Sequence, residues 1–202
     1  MTQGQPIVKR RMRAPERRAQ LLSVARKMFG RHGYHSVTMD SVAREAGVTK
    51  PILYDHFPSK RDLYLGLVTS DLEVLKDRLH TALQASRGNR ERIRKSFQAY
   101  FDFVDEHAEG FRLLMQEAIG SERELRERIR AVQDQIQAEV AELIVRESKG
   151  RVNKDEARVV SLGLIGMVES VAQEDPGAPR ADRERDVDTL VRLAWRGITG
   201  LA

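Results

Sequence analysis

Residues 38–57 constrain the fold more than any other part of the chain. Two short helices that cross at a large angle need a small residue at the crossing, a glycine in the turn and an apolar side chain that fills the junction. The segment supplies these as Ala43, Gly47 and Val48. Leu53 follows at the spacing that points an apolar side chain from the second helix back onto the first. Together these features predict a helix-turn-helix, whereas an ordinary helical hairpin shows only part of them.

The second predicted helix carries side chains suited to base edges and to phosphates. Thr49 is expected to cap it and to leave backbone N–H groups facing outwards. Lys50 lies in the first turn, where recognition helices reach bases, and can donate to guanine. Pro51 stiffens that turn without loss of a helical hydrogen bond. Further phosphate contacts are predicted for Thr38, Tyr54, His56 and Lys60.

Each of these side chains also has a purely structural interpretation, as a cap, a packing residue or a solvated charge. Their placement together on one side of a basic helix-turn-helix favours the functional one, whereas the charge distribution alone would fit a solvated charged surface about as well. Residues 1–62 carry 13 Lys and Arg against 5 Asp and Glu, a net +8, whereas the remainder carries 22 against 25, a net −3. A basic first third attached to a mildly acidic remainder indicates an end that binds a polyanion.

Apolar residues recur at helical spacing along the chain, and no segment alternates with the two-residue period of a strand. We therefore predict an all-helical fold with three parts: a flexible basic arm over 1–14, a helix-turn-helix domain over 15–58 and a helical body over 59–202. The arm is expected either to add phosphate or minor-groove contacts or to act only as a solubilising tail. Its basic residues are Lys9, Arg10, Arg11 and Arg13.

Several helix boundaries can be expected from local signals. Gly33 should end the first helix, and Ser59 with Asp62 should begin the fourth through a capping box. A short helix is predicted over 109–118 and a long one from Ser121 to Gly150. Residues 159–171 are apolar nearly all round, so we expect that helix to be buried on more than one side.

The sequence offers little support for an enzyme or a membrane protein. It has no cysteine, no apolar run of the roughly 18 residues that span a bilayer and no secretory signal, so a cytoplasmic protein is expected. It also lacks a Walker loop, a Gly-x-Ser-x-Gly elbow and a Rossmann glycine series. The five histidines are scattered with no pair at i, i+4, and no metal or cofactor is predicted. A structural helical protein or an enzyme stays a remote alternative.

A glycine-closed helix followed by TMDSVAREAGVTKPILYDHFPSKRDLY resembles the N-terminal domain of the TetR family of bacterial regulators. The resemblance is close over residues 17–67, and YDHFPSK is its most specific signature. It implies an all-helical homodimer of about nine helices, most often a repressor, that binds palindromic double-stranded operator DNA. Three helices would form the DNA-binding head, and the rest a ligand-binding and dimerising body. The positions that match DNA contacts in the family are Thr38, Thr49, Lys50, Pro51, Tyr54, His56 and Lys60.

An apolar and partly aromatic stripe in the second half of the chain is expected to line a cavity for a small hydrophobic effector, although such stripes more often pack a core. Two glycines in GLIGM leave the backbone bare for a close approach, and a glutamate follows one turn later. The candidate ligand-binding residues are Phe97, Phe101, Phe111, Met115, Gly166 and Glu169.

The segments FDFVDEHAEGFRLL, GLIGM and AWRGI resemble an actinobacterial subgroup of TetR-type regulators that control fatty-acid synthesis and sense long-chain acyl-CoA. That resemblance implies an acyl chain in an apolar tunnel, with basic residues at its mouth near the CoA phosphates. The alternative is a regulator of a drug-efflux or catabolic gene that senses an unrelated hydrophobic compound.

A two-fold dimer is what a palindromic operator requires, since each head then contacts one half-site. The last two helices are the best candidates for the interface, as a four-helix arrangement with their copies. The predicted interface residues are Leu162, Ile165, Leu190, Leu193, Ala194 and Trp195.

Overall fold

The computed structural model describes residues 12–85, 88–107, 123–175 and 178–197. Within these ranges every regular element is a helix, which confirms the predicted all-α class. The elements are α1 (Ala14–His32), α2 (Met39–Glu45), α3 (Lys50–His56), α4 (Lys60–Gln84), α5 (Asn89–Glu106), α6 (Arg123–Ser148), α7 (Lys154–Glu174) and α8 (Arg180–Arg196). The helix predicted over 109–118 and most of the basic arm lie outside the described residues. None of the described helices is long and apolar enough to cross a membrane.

The chain divides into two compact units, which we call the head unit (residues 1–67) and the body unit (residues 68–202). The sequence prediction put this division at 58/59. The first turns of α4 belong to the head unit because their side chains are buried there: the Tyr64 ring meets that of Phe29 edge-on at 5.6 Å and lies 4.9 Å from that of Tyr34. The division therefore falls inside a continuous helix.

Helix α1 forms one wall of the head unit. Leu21, Ala25 and Phe29 are buried and recur every four residues, so they share one face, and Leu22 is buried beside Leu21. The helix ends at Gly33 as predicted: this residue has φ +76°, and its N–H donates to the carbonyl of Phe29 at 2.9 Å. At the other end, the backbone N–H of Arg13 donates to the carboxylate of Glu16.

The predicted junction of α2 and α3 is confirmed in its geometry. Ala43 is 3% exposed and accepts a hydrogen bond at 3.0 Å from the N–H of Val48, which is half-buried. Gly47 has φ +65°, a conformation that residues with a Cβ rarely adopt. Leu53 is fully buried. The turn therefore has the backbone and packing that a helix-turn-helix needs.

The body unit is built around α5, whose apolar face is covered by α4, α7 and α8. Phe97, Tyr100, Phe101 and Val104 are all nearly or completely inaccessible to solvent. The partners that complete this core are Leu75 and Leu79 of α4, Val168 and Ala172 of α7, and Val187, Leu190 and Val191 of α8.

The prediction that residues 159–171 are buried on more than one side is wrong for the single protomer. One face of α7 is buried, at Ser161 and Val168, but Val159 and Leu162 are 59% and 48% exposed. The reason is that no described helix of this chain covers the opposite face of α7. An apolar helix face left open in one protomer is typical of a subunit interface.

A buried arginine joins three helices of the body unit. Arg183 is 2% exposed, and its guanidinium donates to Asp105 Oδ1 at 2.8 and 3.1 Å. It also donates to the carbonyls of Ala172 and Asp175 at 3.3 and 2.5 Å, which satisfies the C-terminal end of α7. The same group lies over the Phe101 ring, 5.1 Å from its centre. Sequence analysis did not single out this residue.

Candidate functional site

The start of α2 is fixed by a reciprocal pair of hydrogen bonds. Thr38 Oγ1 accepts from the N–H of Ser41, and Ser41 Oγ accepts from the N–H of Thr38, both at 3.1 Å. This capping box holds the exposed Thr38 side chain in one place and leaves its hydroxyl proton available as a donor. A phosphate contact by Thr38 stays a prediction.

Helix α3 exposes the side chains that sequence analysis assigned to DNA. Thr49, Lys50 and Pro51 are exposed, and Tyr54 is 45% exposed. One detail is corrected: Thr49 has the extended backbone of a cap, but its hydroxyl makes no capping hydrogen bond. The hydroxyl therefore stays available for an outside acceptor.

Ile52 belongs to the same exposed surface and was missed. It is 37% exposed, whereas its neighbour Leu53 points inwards and is fully buried. An apolar side chain on a recognition helix suits the methyl group of thymine. The inward direction of Leu53 is the signal that would have identified Ile52, because adjacent helical residues point about 100° apart.

The Lys50 ammonium pairs with a carboxylate of the preceding helix. Its Nζ lies 2.6 Å from Asp40 Oδ2, and the two side chains are 61% and 50% exposed. Exposed pairs of this kind contribute about 0–1 kcal/mol, so a stronger partner can displace the carboxylate. Asp40 places a negative charge next to the predicted base-reading group, which sequence analysis did not anticipate.

The Lys60 ammonium lies at the loop between α1 and α2. It donates to the carbonyls of Tyr34 and Val37, each at 2.9 Å, and to that of His35 at 3.3 Å. It also lies 4.5 Å from the centre of the Tyr34 ring. Because a lysine has three donor protons, these carbonyls can engage all of them. The predicted phosphate contact of Lys60 would require the ammonium to leave this position.

Two side chains of α1 support the ends of the short helices. Arg18 donates to the carbonyl of His56 at 3.2 Å, and its guanidinium lies 4.3 Å from the centre of the Phe57 ring. Gln20 donates to the carbonyl of Ala46 at 3.2 Å, at the end of α2. His56 itself is half-buried, and its predicted phosphate contact stays a prediction. Sequence analysis missed both supports because a backbone acceptor leaves no trace in a side-chain pattern.

The packing at Phe57 also explains a glycine inside α4. A Cβ at Gly66 would lie 2.8 Å from the Phe57 ring and 3.2 Å from the Arg18 guanidinium. Only a residue without a Cβ permits this close approach.

The body unit contains a cavity of about 310 Å³ between α4, α5, α6 and α7. Such a volume lies at the lower end of the range of small-molecule sites, about 300–1,000 Å³. The wall is mostly aliphatic. Helix α4 contributes Leu72, Leu75, Leu79 and Leu83, and α6 contributes Ile129, Val132, Ile136, Val140, Leu143 and Ile144.

The predicted ligand residues fall into three groups. Phe97 and Glu169 line the cavity, as expected. Phe101 is fully buried and lies against Arg183, and neither it nor Gly166 is part of the wall. Phe97 and Tyr100, three residues apart on α5, both face the cavity. Phe101 points to a neighbouring side of the helix, into the core of the body unit. Phe111 and Met115 lie outside the described residues.

One end of the cavity is polar and basic. Arg92 Nη1 donates to Asn89 at 2.6 Å and lies 3.2 Å from the carboxylate of Glu147. Arg92 Nε and Ser96 Oγ are buried without a hydrogen-bond partner among the described residues. Arg151 also lines this end and is exposed. These are basic side chains of the kind that the resemblance implied but sequence analysis did not name.

A second cluster of polar side chains, around Tyr100 and Glu169, lines the cavity farther along. Gln173 donates to the Tyr100 hydroxyl at 3.3 Å. Burial raises the pKa of Tyr100, the Glu169 charge raises it further, and the hydrogen bond from Gln173 lowers it. Burial also raises the pKa of Glu169, and a hydrogen bond with Gln133 opposes that shift. The cavity thus has an apolar middle between two polar regions.

The residues predicted for the dimer interface also differ in their exposure to solvent. Leu162 and Trp195 are 48% and 50% exposed, and Leu193 and Ala194 are half-buried. Leu190, in contrast, is buried in the body core. Ile165 lines the cavity instead of an outer surface.

Exposed Val159 and Val160 were missed as candidates for the interface. Val159 and Leu162 are three residues apart and lie on one face of α7. A Cβ placed at Gly163 or Gly166 would meet nothing within 4 Å, so this side of the helix is open in the protomer.

Both units match the profile of one known family. Residues 21–67 match "Bacterial regulatory proteins, tetR family", and residues 89–197 match "Tetracyclin repressor-like, C-terminal domain". The chain belongs to the TetR family. TetR regulators bind operator DNA as dimers, and this protein is a DNA-binding transcriptional regulator with a ligand-binding C-terminal domain. The family resemblance noted in the sequence is confirmed.

Three similar proteins illustrate its place in the TetR family. The HTH-type transcriptional activator FasR of Mycolicibacterium smegmatis is 32% identical over 94% of this chain and 86% of its own length. The nucleoid occlusion factor SlmA of Vibrio vulnificus is 30% identical over 76% of this chain and 80% of its own. The transcriptional regulator FadR from Bacillus subtilis, solved with stearoyl-CoA, shares the fold with a TM-score of 0.73 at 16% identity, over 89% of this chain and 98% of its own.

TetR proteins are transcriptional regulators and not enzymes. In the part of the chain that the structure describes, no group of three His, Cys, Asp or Glu side chains could hold a metal ion. Two candidate sites stand out in the described residues: the exposed face of α3 and the cavity of the body unit.

Proposed function

We propose that this regulator couples operator binding to a long-chain acyl-CoA held in the body cavity. The observation that carries this proposal is a cavity of about 310 Å³ with an aliphatic wall and a basic end. FadR from Bacillus subtilis, which shares the fold, was solved with stearoyl-CoA. The resemblance of the body segments to acyl-CoA-sensing regulators points in the same direction.

On DNA, we assign the exposed face of α3 to the major groove. Lys50 donates to a base edge after it exchanges Asp40 for guanine, and Ile52 contacts a thymine methyl group. Phosphate contacts fall to Thr38, Thr49, Tyr54 and His56, with Pro51 stiffening the first turn. Lys60 acts by holding the loop before α2.

The dimer that presents two such heads forms through α7 and α8. The exposed apolar side chains Val159, Leu162 and Trp195, with the bare backbone at Gly163 and Gly166, provide a face that a second copy can cover. Two-fold symmetry then matches a palindromic operator. Repression stays a prediction from the family resemblance, since FasR is named an activator.

Two measurements test the proposal on the purified full chain. Selection of bound genomic DNA should return a palindrome, and palmitoyl-CoA should raise the melting temperature and change operator affinity. A panel of unrelated hydrophobic compounds serves as the comparison. If a compound from that panel alone stabilises the protein and palmitoyl-CoA does not, the acyl-CoA assignment is wrong and the protein senses another compound.

A further inference from the structure

We propose that the ligand lies in the cavity in one direction, with an anionic, acceptor-rich head at the Arg92 end and its apolar chain running towards Tyr100 and Glu169. The inference rests on the proposed function, because it assigns an orientation to the same ligand. The head site consists of Arg92, Ser96 and Arg151.

Unmet hydrogen-bonding capacity marks this end of the cavity. Arg92 Nε and Ser96 Oγ are buried, and neither has a partner among the described residues. They lie four residues apart on α5, so both side chains are on the same face of the helix and line the cavity. Buried donors without an acceptor are rare and unfavourable, which indicates that an outside group completes them. A ligand that offers oxygen acceptors, such as a thioester carbonyl, a carboxylate or a phosphate, meets that requirement after a small side-chain rotation.

The charge at this end has the sign that such a head needs. Glu147 lies 3.2 Å from Arg92 and 3.8 Å from Arg146, and Arg151 joins the wall beside it. Two guanidinium groups of the cavity lining, those of Arg92 and Arg151, thus accompany the single carboxylate of Glu147 at this end, which leaves a net positive charge. The Arg92 Nη1 atom already pairs with Asn89 and Glu147, whereas its Nε–H has no partner among the described residues. Guanidinium groups are well suited to phosphate and carboxylate oxygens.

The opposite polar region disfavours the reverse orientation. Tyr100 lies eight residues after Arg92 on α5, a distance of about 12 Å along the helix. Its neighbour Glu169 carries the same sign of charge as the ligand head. An anion placed there meets a carboxyl group and a buried phenol, whereas the leucine side chains between the two regions suit an alkyl chain. The charges at the two ends of the cavity therefore favour one orientation of the ligand.

The test uses three probes with the same sixteen-carbon chain: palmitoyl-CoA, palmitate and hexadecanol. Titration calorimetry on the full chain compares the wild type with Arg92→Gln and Arg151→Gln. The matched control is Lys95→Gln, an exposed residue of α5 that lies outside this cavity. We expect Arg92→Gln to weaken palmitoyl-CoA binding about tenfold and Arg151→Gln about threefold, with Lys95→Gln and hexadecanol binding nearly unchanged.

Arg151→Gln tests whether weaker binding comes from lost stability. Arg151 is exposed, so its replacement should leave the melting temperature unchanged. If palmitate matches palmitoyl-CoA and loses the same factors, the orientation is supported with a carboxylate as the head. If the wild type binds palmitoyl-CoA and both arginine variants bind it as well as Lys95→Gln does, the orientation is wrong while the proposed function stands. If the wild type binds none of the three probes, both fail.

Discussion

The Lys60 ammonium lies 2.9 Å from the carbonyl of Val37, the residue before the cap of α2. Lys60 is the first residue of α4, so this contact ties the start of one helix to the start of another. The Thr38 cap is therefore held from both sides, by Ser41 within α2 and by Lys60 from outside it. We therefore expect Lys60 to affect DNA binding through the shape of the head unit.

We expect Lys60→Met to lower the free energy of unfolding by about 1–3 kcal/mol, because three carbonyls lose their donor. Operator affinity should fall as well, but the slope of log affinity against log salt should stay the same. Removal of a true phosphate contact lowers that slope by about 0.9. Lys27→Met, an exposed lysine of α1, controls for the change in net charge. A reduced slope at unchanged stability would mean that Lys60 contacts phosphate after all.

Lys50 and Asp40 should affect binding in opposite directions. Lys50→Ala should weaken operator binding by about 1–3 kcal/mol and relax the base preference near one position. Asp40→Asn should strengthen binding to operator and to scrambled DNA alike, because it removes a negative charge next to the phosphates. Neither change should alter stability measurably, since the pair is exposed. Mobility shifts on both DNA sequences measure these effects, and equal losses by Lys50→Ala on both would contradict a base contact.

Arg183 should be the most sensitive polar residue of the body unit. Arg183→Met removes the Arg183 guanidinium from the Asp105 carboxylate and from two carbonyls, so we expect a loss of about 3–5 kcal/mol in unfolding free energy. Arg185→Met is the control because its guanidinium is exposed and pairs with Asp182, a neighbour on the same helix. Its effect should stay within about 0.5 kcal/mol. Urea unfolding followed by circular dichroism measures both, and similar midpoints for the two variants would contradict this role of Arg183.

The Glu169 carboxyl predicts a pH dependence of stability. Burial raises its pKa in the folded protein, so the folded state binds this proton more tightly than the unfolded chain does. Its contribution to stability therefore falls as the pH rises from the ordinary glutamate pKa through the raised one. Glu169→Gln should match the wild type at low pH and exceed its stability at neutral pH. Urea midpoints across that range test this, with exposed Glu174→Gln as the control; a constant difference at every pH would contradict the shift.

Leu162→Glu should convert the dimer to monomers, because it places a charge in the centre of the predicted apolar face. Sedimentation velocity should show half the mass, and operator affinity should fall by more than tenfold as the two half-sites bind independently. Helicity should change little, since Leu162 is already 48% exposed in the protomer. Val74→Glu, at another exposed apolar residue, is expected to remain dimeric. A Leu162→Glu dimer would exclude this face.

The head unit was more predictable than the body unit, for a physical reason. At Ala43 and Gly47 the requirements of a tight helix crossing act through residue size and backbone conformation, and both are visible in a sequence. The same holds for the end of α1 at Gly33. Helical periodicity in the body also identified Phe97 correctly as a residue of the cavity wall.

Periodicity does not tell which neighbour a face meets. Phe101 and Ile165 are apolar residues in apolar helices, and only the packing of α5 and α7 places one in the core and the other at the cavity. The contacts of Lys60 were not foreseen for a different reason: its partners are backbone carbonyls, which every residue possesses. Arg183 was missed because a lone arginine in a charged helix has the same pattern whether it is buried or exposed.

Helix α4 runs without a break from Lys60 to Gln84, through the boundary between the two units. Because the helix is continuous, the direction of each side chain around its axis follows from the number of residues before it. Adding or removing one residue between Tyr64 and Leu72 would turn every later side chain by about 100° relative to the earlier ones. The cavity-lining leucines and the buried side chains of the first turns would then no longer keep the angular offset that they have now along this one helix. A substitution in this stretch leaves that offset unchanged, whereas an insertion or a deletion alters it.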